Sequence, residues 1–389
     1  MSNSPSMSRG SIAFLAIGLV AAALSSHELT DARFAVIPAV APSETKSAEP
    51  LFASIDLPRP TPTAHASSMA FMHDGSLLIA WFGGTREGAG DVAIQMAKVK
   101  DGRVQDSWTS LTCDQLEALT HRVIRTLGNP VLWVDTNGRM CMCVVSVSYG
   151  GWSGSAVNQL QSDDGGRSWS KAHRLILSPL FNFSTLVRNQ TVAMEDGTIG
   201  LPAYHEFLHK WGTWVRMNAA GRVLQCDRMH SAAGEWLQPA VAATSATEAV
   251  AVLRSANITE PVIGQSATRD GGQTWLMKAP LDIPNPNSSV SMIRLADGSL
   301  LIAANPLVTG RNVLQLFRSH DGGAHWSASR TIERGKKGGE FSYPFFAQSV
   351  NGMIQLSYTW QRKGIRLCVF NTRWLDTDDT ESPPMENTP

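Results

Sequence analysis

Short apolar runs recur along this chain in pairs, and each pair is hinged on an Asp-Gly or Asn-Gly dipeptide. Met69-Ala70-Phe71 and Leu77-Leu78-Ile79-Ala80 flank Asp74-Gly75, and Pro130-Val131-Leu132 and Met140-Cys141-Met142 flank Asn137-Gly138. The same arrangement surrounds Asp196-Gly197 (Thr191-Val192-Ala193, then Ile199) and Asp297-Gly298 (Met292-Ile293, then Leu300-Leu301-Ile302). It returns at Asn351-Gly352, between Ser349-Val350 and Ile354-Gln355-Leu356. Such dipeptides tolerate positive φ and close tight hairpins. A sixth pair, within 239–253, lacks the glycine. Helical periodicity is almost absent, so the chain reads as all-β.

A second pattern falls in the later half of these units. Ser162-Asp163-Asp164-Gly165-Gly166-Arg167-Ser168-Trp169, Thr268-Arg269-Asp270-Gly271-Gly272-Gln273-Thr274-Trp275 and Ser319-His320-Asp321-Gly322-Gly323-Ala324-His325-Trp326 all read [Ser/Thr]-x-Asp-Gly-Gly-x-x-Trp. Glycine supplies the turn, the carboxylate bonds nearby backbone N–H groups, and the tryptophan packs on the sheet. Asp164, Asp270 and Asp321 stand 106 and 51 positions apart. The wider gap spans two units and contains a degraded copy near Asn218-Ala219-Ala220-Gly221; another is Asp101-Gly102 with Trp108. Six four-stranded units of about 50 residues predict a six-bladed β-propeller.

Composition adds little to this and removes some functions. The 33 basic and 33 acidic residues cancel, which gives no electrostatic footprint for nucleic acid or an anionic membrane. Twelve tryptophans exceed the three that the boxes use, and inter-blade packing or sugar stacking would absorb the rest. Five cysteines are an odd number without a Cys-x-x-Cys pair, and Cys141 and Cys143 share a strand face expected in the core. Arg9 followed by an apolar run from Ile12 to Leu24 predicts a signal peptide over 1–25, with an uncleaved membrane anchor as the alternative. Residues 26–50 read as a linker, 51–375 as the propeller and 376–389 as a disordered tail.

The boxes within six β units resemble the sialidase (neuraminidase) superfamily, over roughly residues 60–372. That resemblance implies a pocket for a terminal acidic sugar in a glycan, with no metal and no cofactor. It implies arginines around the sugar carboxylate, a tyrosine nucleophile paired with a glutamate, and an aspartate as acid/base. Arg311, in Asn305-Pro306 … Arg311-Asn312-Val313-Leu314, leads into a box as one family arginine does, and Arg254 closes a strand one unit earlier. Tyr343 stands nine residues before Gly352, at the nucleophile's spacing, and Tyr358 matches a second family tyrosine. Arg86 and Glu87, in Gly83-Gly84-Thr85-Arg86-Glu87-Gly88, and Asp91 beyond them match the first-unit arginine loop and the acid/base. Asn129, Arg188, Tyr204 and Glu206 stand at strand ends in comparable places of other units.

Two positions depart from the family pattern. His65 stands ten residues before Gly75, where the family carries its first arginine, and Gln238, before Pro239, stands where the tyrosine-activating glutamate belongs. Glutamine cannot take the phenolic proton as a carboxylate can, which makes Glu340 and Glu206 the candidates to replace it. A neutral imidazole at His65 suits general acid/base chemistry. Similar-looking propellers that cleave uronic-acid polysaccharides use histidine and tyrosine as a lyase or glycosidase. A carbohydrate-binding propeller without catalysis is the third reading. The formal His-Glu-x-x-His at His205–His209 would form a zinc-protease site on a helix, which the strand alternation around it opposes; in a strand the two histidines still share a face, which leaves weak metal binding open.

Overall fold

The computed structural model describes residues 32–36, 49–177, 182, 184–207, 209–229, 235–256, 259 and 261–377. The leader, most of the linker and most of the tail lie outside the described residues. Six antiparallel sheets stand around a central channel, one for each unit that the hairpins marked. Blades I to V occupy residues 63–111, 126–174, 186–229, 236–277 and 291–334 in chain order. Blade VI takes three strands from the end of the chain, Phe341–Gln348, Ile354–Trp360 and Gly364–Phe370. Its fourth and outermost strand is Phe52–Asp56, paired with Gly364–Phe370 from Phe52↔Phe370 to Asp56↔Arg366. The two ends of the domain therefore close the ring within one sheet, which leaves no gap between last and first blades.

Each blade runs outward from the channel, and the core is divided accordingly. Six apolar clusters fill the six blade junctions, such as Leu78, Ile94, Met142 and Leu160 between blades I and II. Cys141 and Cys143 lie in the junction of blades II and III, and the described cysteines are free thiols. The Asp-Gly and Asn-Gly hairpins join first to second strands, as the pattern predicted. The boxes join third to fourth strands of blades II, IV and V. In the first, Asp164 Oδ1 accepts from Ser168 N (2.9 Å), Arg167 N (3.0 Å) and Ser162 Oγ (2.7 Å), while Trp169 Nε1 donates to Ser110 Oγ (2.8 Å) on the neighbouring blade. One helix, Cys113–Thr120, links blades I and II behind a capping box of Thr112 and Gln115. It spans only about two turns, too short for a helical period to show in the sequence.

Two expectations need correction at the ends. Residues 32–36, assigned to the linker, dock at the junction of blades III and IV. Phe34 is fully buried there, edge-on to Trp214, and its N donates to Ala246 O (2.7 Å). Asp376, assigned to the tail, pairs with Arg318 at 2.7 Å.

The first strands of blades I, II, IV and VI share one irregularity that aims side chains into the channel. Their pairing slips between His65 and Ser68, Gly128 and Val131, Leu237 and Ala240, and Ser342 and Phe345. Inside each slip one residue is left-handed: Ala66 (φ 54), Asn129 (φ 34), Gln238 (φ 50) and Tyr343 (φ 55). Proline follows in three of the four, at 130, 239 and 344. A bulge is where a strand tolerates a residue without an N–H, so the Xaa-Pro pairs mark the bulges. Between the short strands of blade III, residues 188–190 brace the bulges from within the channel. Arg188 donates to Ser67 O (3.0 Å), Tyr343 O (2.5 Å) and Pro344 O (3.0 Å), Asn189 to Gln238 O (3.0 Å) and Pro239 O (3.1 Å), and Gln190 to Met292 O.

Candidate functional site

The loops joining second to third strands all open at one end of the ring, opposite the hairpins and boxes. A cavity of about 240 Å³ lies among them on the channel axis. The bulged strands contribute His65, Asn129, Gln238 and Tyr343 to its wall, and the loops contribute Glu87, Trp152, Glu206, Arg311 and Arg362. Tyr204 and Arg254 reach it from the ends of second strands. Residues more than 290 positions apart meet here because the ring brings blade VI against blade I.

Tyr343 holds the centre. Its hydroxyl accepts from Arg254 NH1 at 3.1 Å, and the Arg311 guanidinium lies 5.7 Å from its ring centroid. Burial alone would raise the phenol's pKa, but Arg254 and Arg311 outweigh it and the net shift is downward. Arg254 also donates to Gln238 Oε1 (3.2 Å) and Asn287 Oδ1 (2.7 Å), and no acidic side chain among the described residues lies within ion-pair distance of it. Arg311 pairs with Glu340 at 3.1 Å, and Arg362 pairs with Glu340 (2.9 Å) and Glu87 (2.7 Å). Burial pushes Glu340 up, yet the Ser342 hydroxyl and both guanidiniums hold it below the ordinary carboxyl value. Three guanidiniums and a lowered phenol thus face one small space, which suits an anion.

The remaining polar groups are neutral amides and a phenol, with one carboxyl whose pKa is raised. Gln238 Nε2 donates to Tyr204 OH (3.1 Å), and Asn129 Nδ2 donates to the same oxygen (3.3 Å). Burial raises the Tyr204 phenol, so it remains a neutral donor and acceptor. Glu206 is raised by burial, against the pull of Arg254 and Lys210, with Glu87 adding to the rise. It is the cavity carboxyl whose environment favours the acid form.

Several sequence expectations do not survive this geometry. Asp91, the expected acid/base, is exposed and outside the cavity; its carboxylate accepts from Thr85 N (2.9 Å) and Thr85 Oγ1, which lowers its pKa further. Arg86 is exposed on the same loop and also outside, whereas Glu87 between them turns in. Arg188 is fully buried beneath the site, bonded to backbone carbonyls, and burial lowers its pKa to about 10. Tyr358 lies in the junction of blades V and VI, where its hydroxyl donates to Glu333 at 2.6 Å. Glu340 is an ion-pair anchor for two arginines rather than a free base beside Tyr343.

His65 stands at the site but not as a base. Its Nδ1 bonds Thr359 Oγ1 (2.9 Å), and the Tyr343 ring covers it at 4.1 Å between centroids. Its Nε2 is buried without a hydrogen-bond partner among the described residues. Burial first, then Arg362, Arg311, Arg188 and Arg254, hold its pKa well below the ordinary value. The imidazole is a neutral packing element under the tyrosine.

Two wall residues, Arg362 and Trp152, belong to no motif or repeat position in the sequence. Arg362 sits in the three-residue turn Gln361-Arg362-Lys363, whose first two residues are left-handed (φ 54 and 55), and which joins Ile354–Trp360 to Gly364–Phe370. Its carbonyl accepts from Ala64 N (2.9 Å), which fixes the turn beside His65. Trp152 lies on the loop after Met140–Val147. Short spacing between the last two strands was the available signal for Arg362, and a solitary Trp among glycines for Trp152. His205 ends the strand Ile199–His205, stacked on Trp211 at 4.1 Å, and His209 lies in the loop before Trp211–Met217, so the His-Glu-x-x-His motif has no helix to display it. A larger groove of about 880 Å³ lies at the other end, around the box of Asp321, away from this chemistry.

Comparisons with known proteins agree on the architecture. The Hadza microbial sialidase Hz136 is similar in structure, with a TM-score of 0.66 at 16% identity; the match covers 79% of this chain and 66% of that one, just under two thirds of its length. The intramolecular trans-sialidase from Ruminococcus gnavus matches with a TM-score of 0.66 at 14% identity, covering 83% of this chain and 98% of that one. The alpha-L-arabinanase of Penicillium chrysogenum matches at 0.60 and 11% identity, over 86% of this chain and 100% of that one. No curated protein matches the sequence. At such identities the likeness establishes the sialidase-like fold and leaves the reaction to the site. The family model described as BNR repeat-like domain matches residues 75–356, most of the ring, and the chain belongs to that family.

Proposed function

We propose that this propeller is an exo-acting glycoside hydrolase that removes a terminal acidic sugar from a glycan. The observation that carries the reading is the meeting of Tyr343 with Arg254, Arg311 and Arg362 in one cavity. Arg254 takes the sugar carboxylate, since it alone of the three has no acidic partner within ion-pair distance among the described residues. The Tyr343 oxygen, its proton first lost to solvent under the pull of Arg254 and Arg311, attacks the anomeric carbon as a phenolate while the bond to the leaving oxygen breaks. Glu206 gives its proton to that oxygen, then takes one from the water that releases the sugar from Tyr343. Gln238 and Arg254 hold the phenol in place of a carboxylate partner.

The buried Nε2 of His65 disfavours the lyase reading, in which an exposed base must reach a sugar C–H. Release of fluorophore from a 4-methylumbelliferyl sialoside tests the proposal. The wild-type protein is expected to turn it over, and Tyr343→Phe to lose activity by about a hundredfold or more. Binding without turnover in the wild type would favour a carbohydrate-binding propeller, and new absorbance from an unsaturated uronate would identify a lyase. We extend the reading to export, on the apolar run from Ile12 to Leu24. Cell fractionation checks it, and a cytosolic protein with its first 25 residues intact would sink it.

A further inference from the structure

A second cavity, of about 190 Å³, shares a wall with the first. Trp152 lines both, and the neighbours Glu87 and Gly88 face one each. The rest of the second wall includes Arg125, Thr126 and Tyr149.

This wall is built rather than incidental. The Trp152 ring lies so close over Gly128 that a Cβ there would come within 2.6 Å of it. Gly128 is in the bulged strand that carries Asn129, so the ring's position is tied to the first cavity. The loop 149–154 folds back tightly: Gly150 and Gly151 have φ 78 and 62, and a Cβ on Gly154 would fall 1.8 Å from Tyr149 O. Only glycines permit that path, and its outcome is a Tyr149 that is 71% exposed beside the cavity. The ring offers an apolar face at the edge of the cavity. Two polar groups wait in the same wall. Thr126 is 4% exposed, and its hydroxyl has no hydrogen-bond partner among the described residues. The exposed Arg125 guanidinium forms no hydrogen bond or ion pair among the described residues.

Aromatic faces for C–H surfaces, together with a few unspent donors, are what a pyranose ring needs. We infer that this cavity is the subsite for the penultimate sugar, the one joined to the terminal acidic residue. The inference rests on the acidic-sugar reading of the first cavity, and adds that the substrate is an oligosaccharide end gripped on both sides of the scissile bond. Trp152 then acts as the divider that sets the two rings at an angle across that bond.

Saturation-transfer NMR with 3′-sialyllactose tests this without requiring turnover, when carried out on Tyr343→Phe protein. Saturation is expected on both sialyl and galactosyl protons. Tyr149→Ala and Arg125→Ala, whose side chains line only the second cavity, should lose the galactosyl signal and keep the sialyl one. Titration calorimetry should show affinity weakened by about three- to tenfold. Galactosyl saturation that persists in both variants, or is absent from the parent while the sialyl signal is present, would overturn the subsite and leave the first cavity's reading intact. Absence of every signal in the parent would instead overturn the acidic-sugar reading, and the subsite with it.

Discussion

At the scale of single residues, this site is made by side chains held in unfavourable backbone. Left-handed φ at a tyrosine costs about 1–3 kcal/mol, and at Tyr343 the cost is met by three carbonyl-bound donors of Arg188 beneath it and by the His65 ring against it. His65 therefore acts through the tyrosine. His65→Gln is expected to lower kcat/KM by less than about tenfold on any substrate that the wild type cleaves; a fall of about 10² to 10⁴ would restore the acid/base assignment. Tyr343, Arg254 and Arg311 were legible from spacing, because a repeat acts as a ruler. Asp91 was misassigned because loop position says which residues are near a pocket and not which of three neighbours turns in. Its Thr85 hydrogen bonds decide that, and they are local contacts with no sequence period.

Among elements, hairpins and boxes follow their dipeptides closely, since a turn is decided by the φ that two residues can adopt. The segment 32–36 does not, because its polar and small neighbours resemble a linker while one phenylalanine finds a cleft. Its seat explains a difference between two otherwise equal boxes. Gly271 and Gly322 have φ of 71 and 70, yet a Cβ on Gly271 would lie 1.6 Å from Ala32 O, while Gly322 has open space. Both alanine variants carry the same left-handed strain, about 1 kcal/mol. Gly271→Ala should cost about 1–3 kcal/mol more in urea unfolding, from overpacking against the docked segment. Equal losses would mean that residues 32–36 leave the cleft readily.

For the whole molecule, six junction cores and a shared last blade make the ring a closed unit, and its electrostatics set an acid limit. Burial raises Asp164, but the Ser168 and Ser162 hydrogen bonds outweigh it and hold the carboxyl at about 2; Asp270 and Asp321 are lowered by the same motif. A depressed carboxyl contributes stability that is present above its unfolded pKa near 3.8 and is lost as pH falls through the folded value. Glu206 and Glu333, raised by burial, work in the opposite sense and favour the fold less as pH rises above 4.5. The Tm should therefore drop between pH 4 and pH 2 in scanning calorimetry, and a flat Tm over that range would contradict the role given to the boxes. The amino-acid sequence by itself determined the six units, their turns and the phase of the repeat, because period-2 burial and Asp-Gly chemistry are local properties that each unit restates. Only the tertiary structure decided that Arg362 joins Arg254 and Arg311, that Asp91 and Arg188 do not face the cavity, and that Trp152 divides two cavities. Those are contacts between blades, fixed by ring closure and by which side chain fills a shared space, and no single unit's pattern contains them.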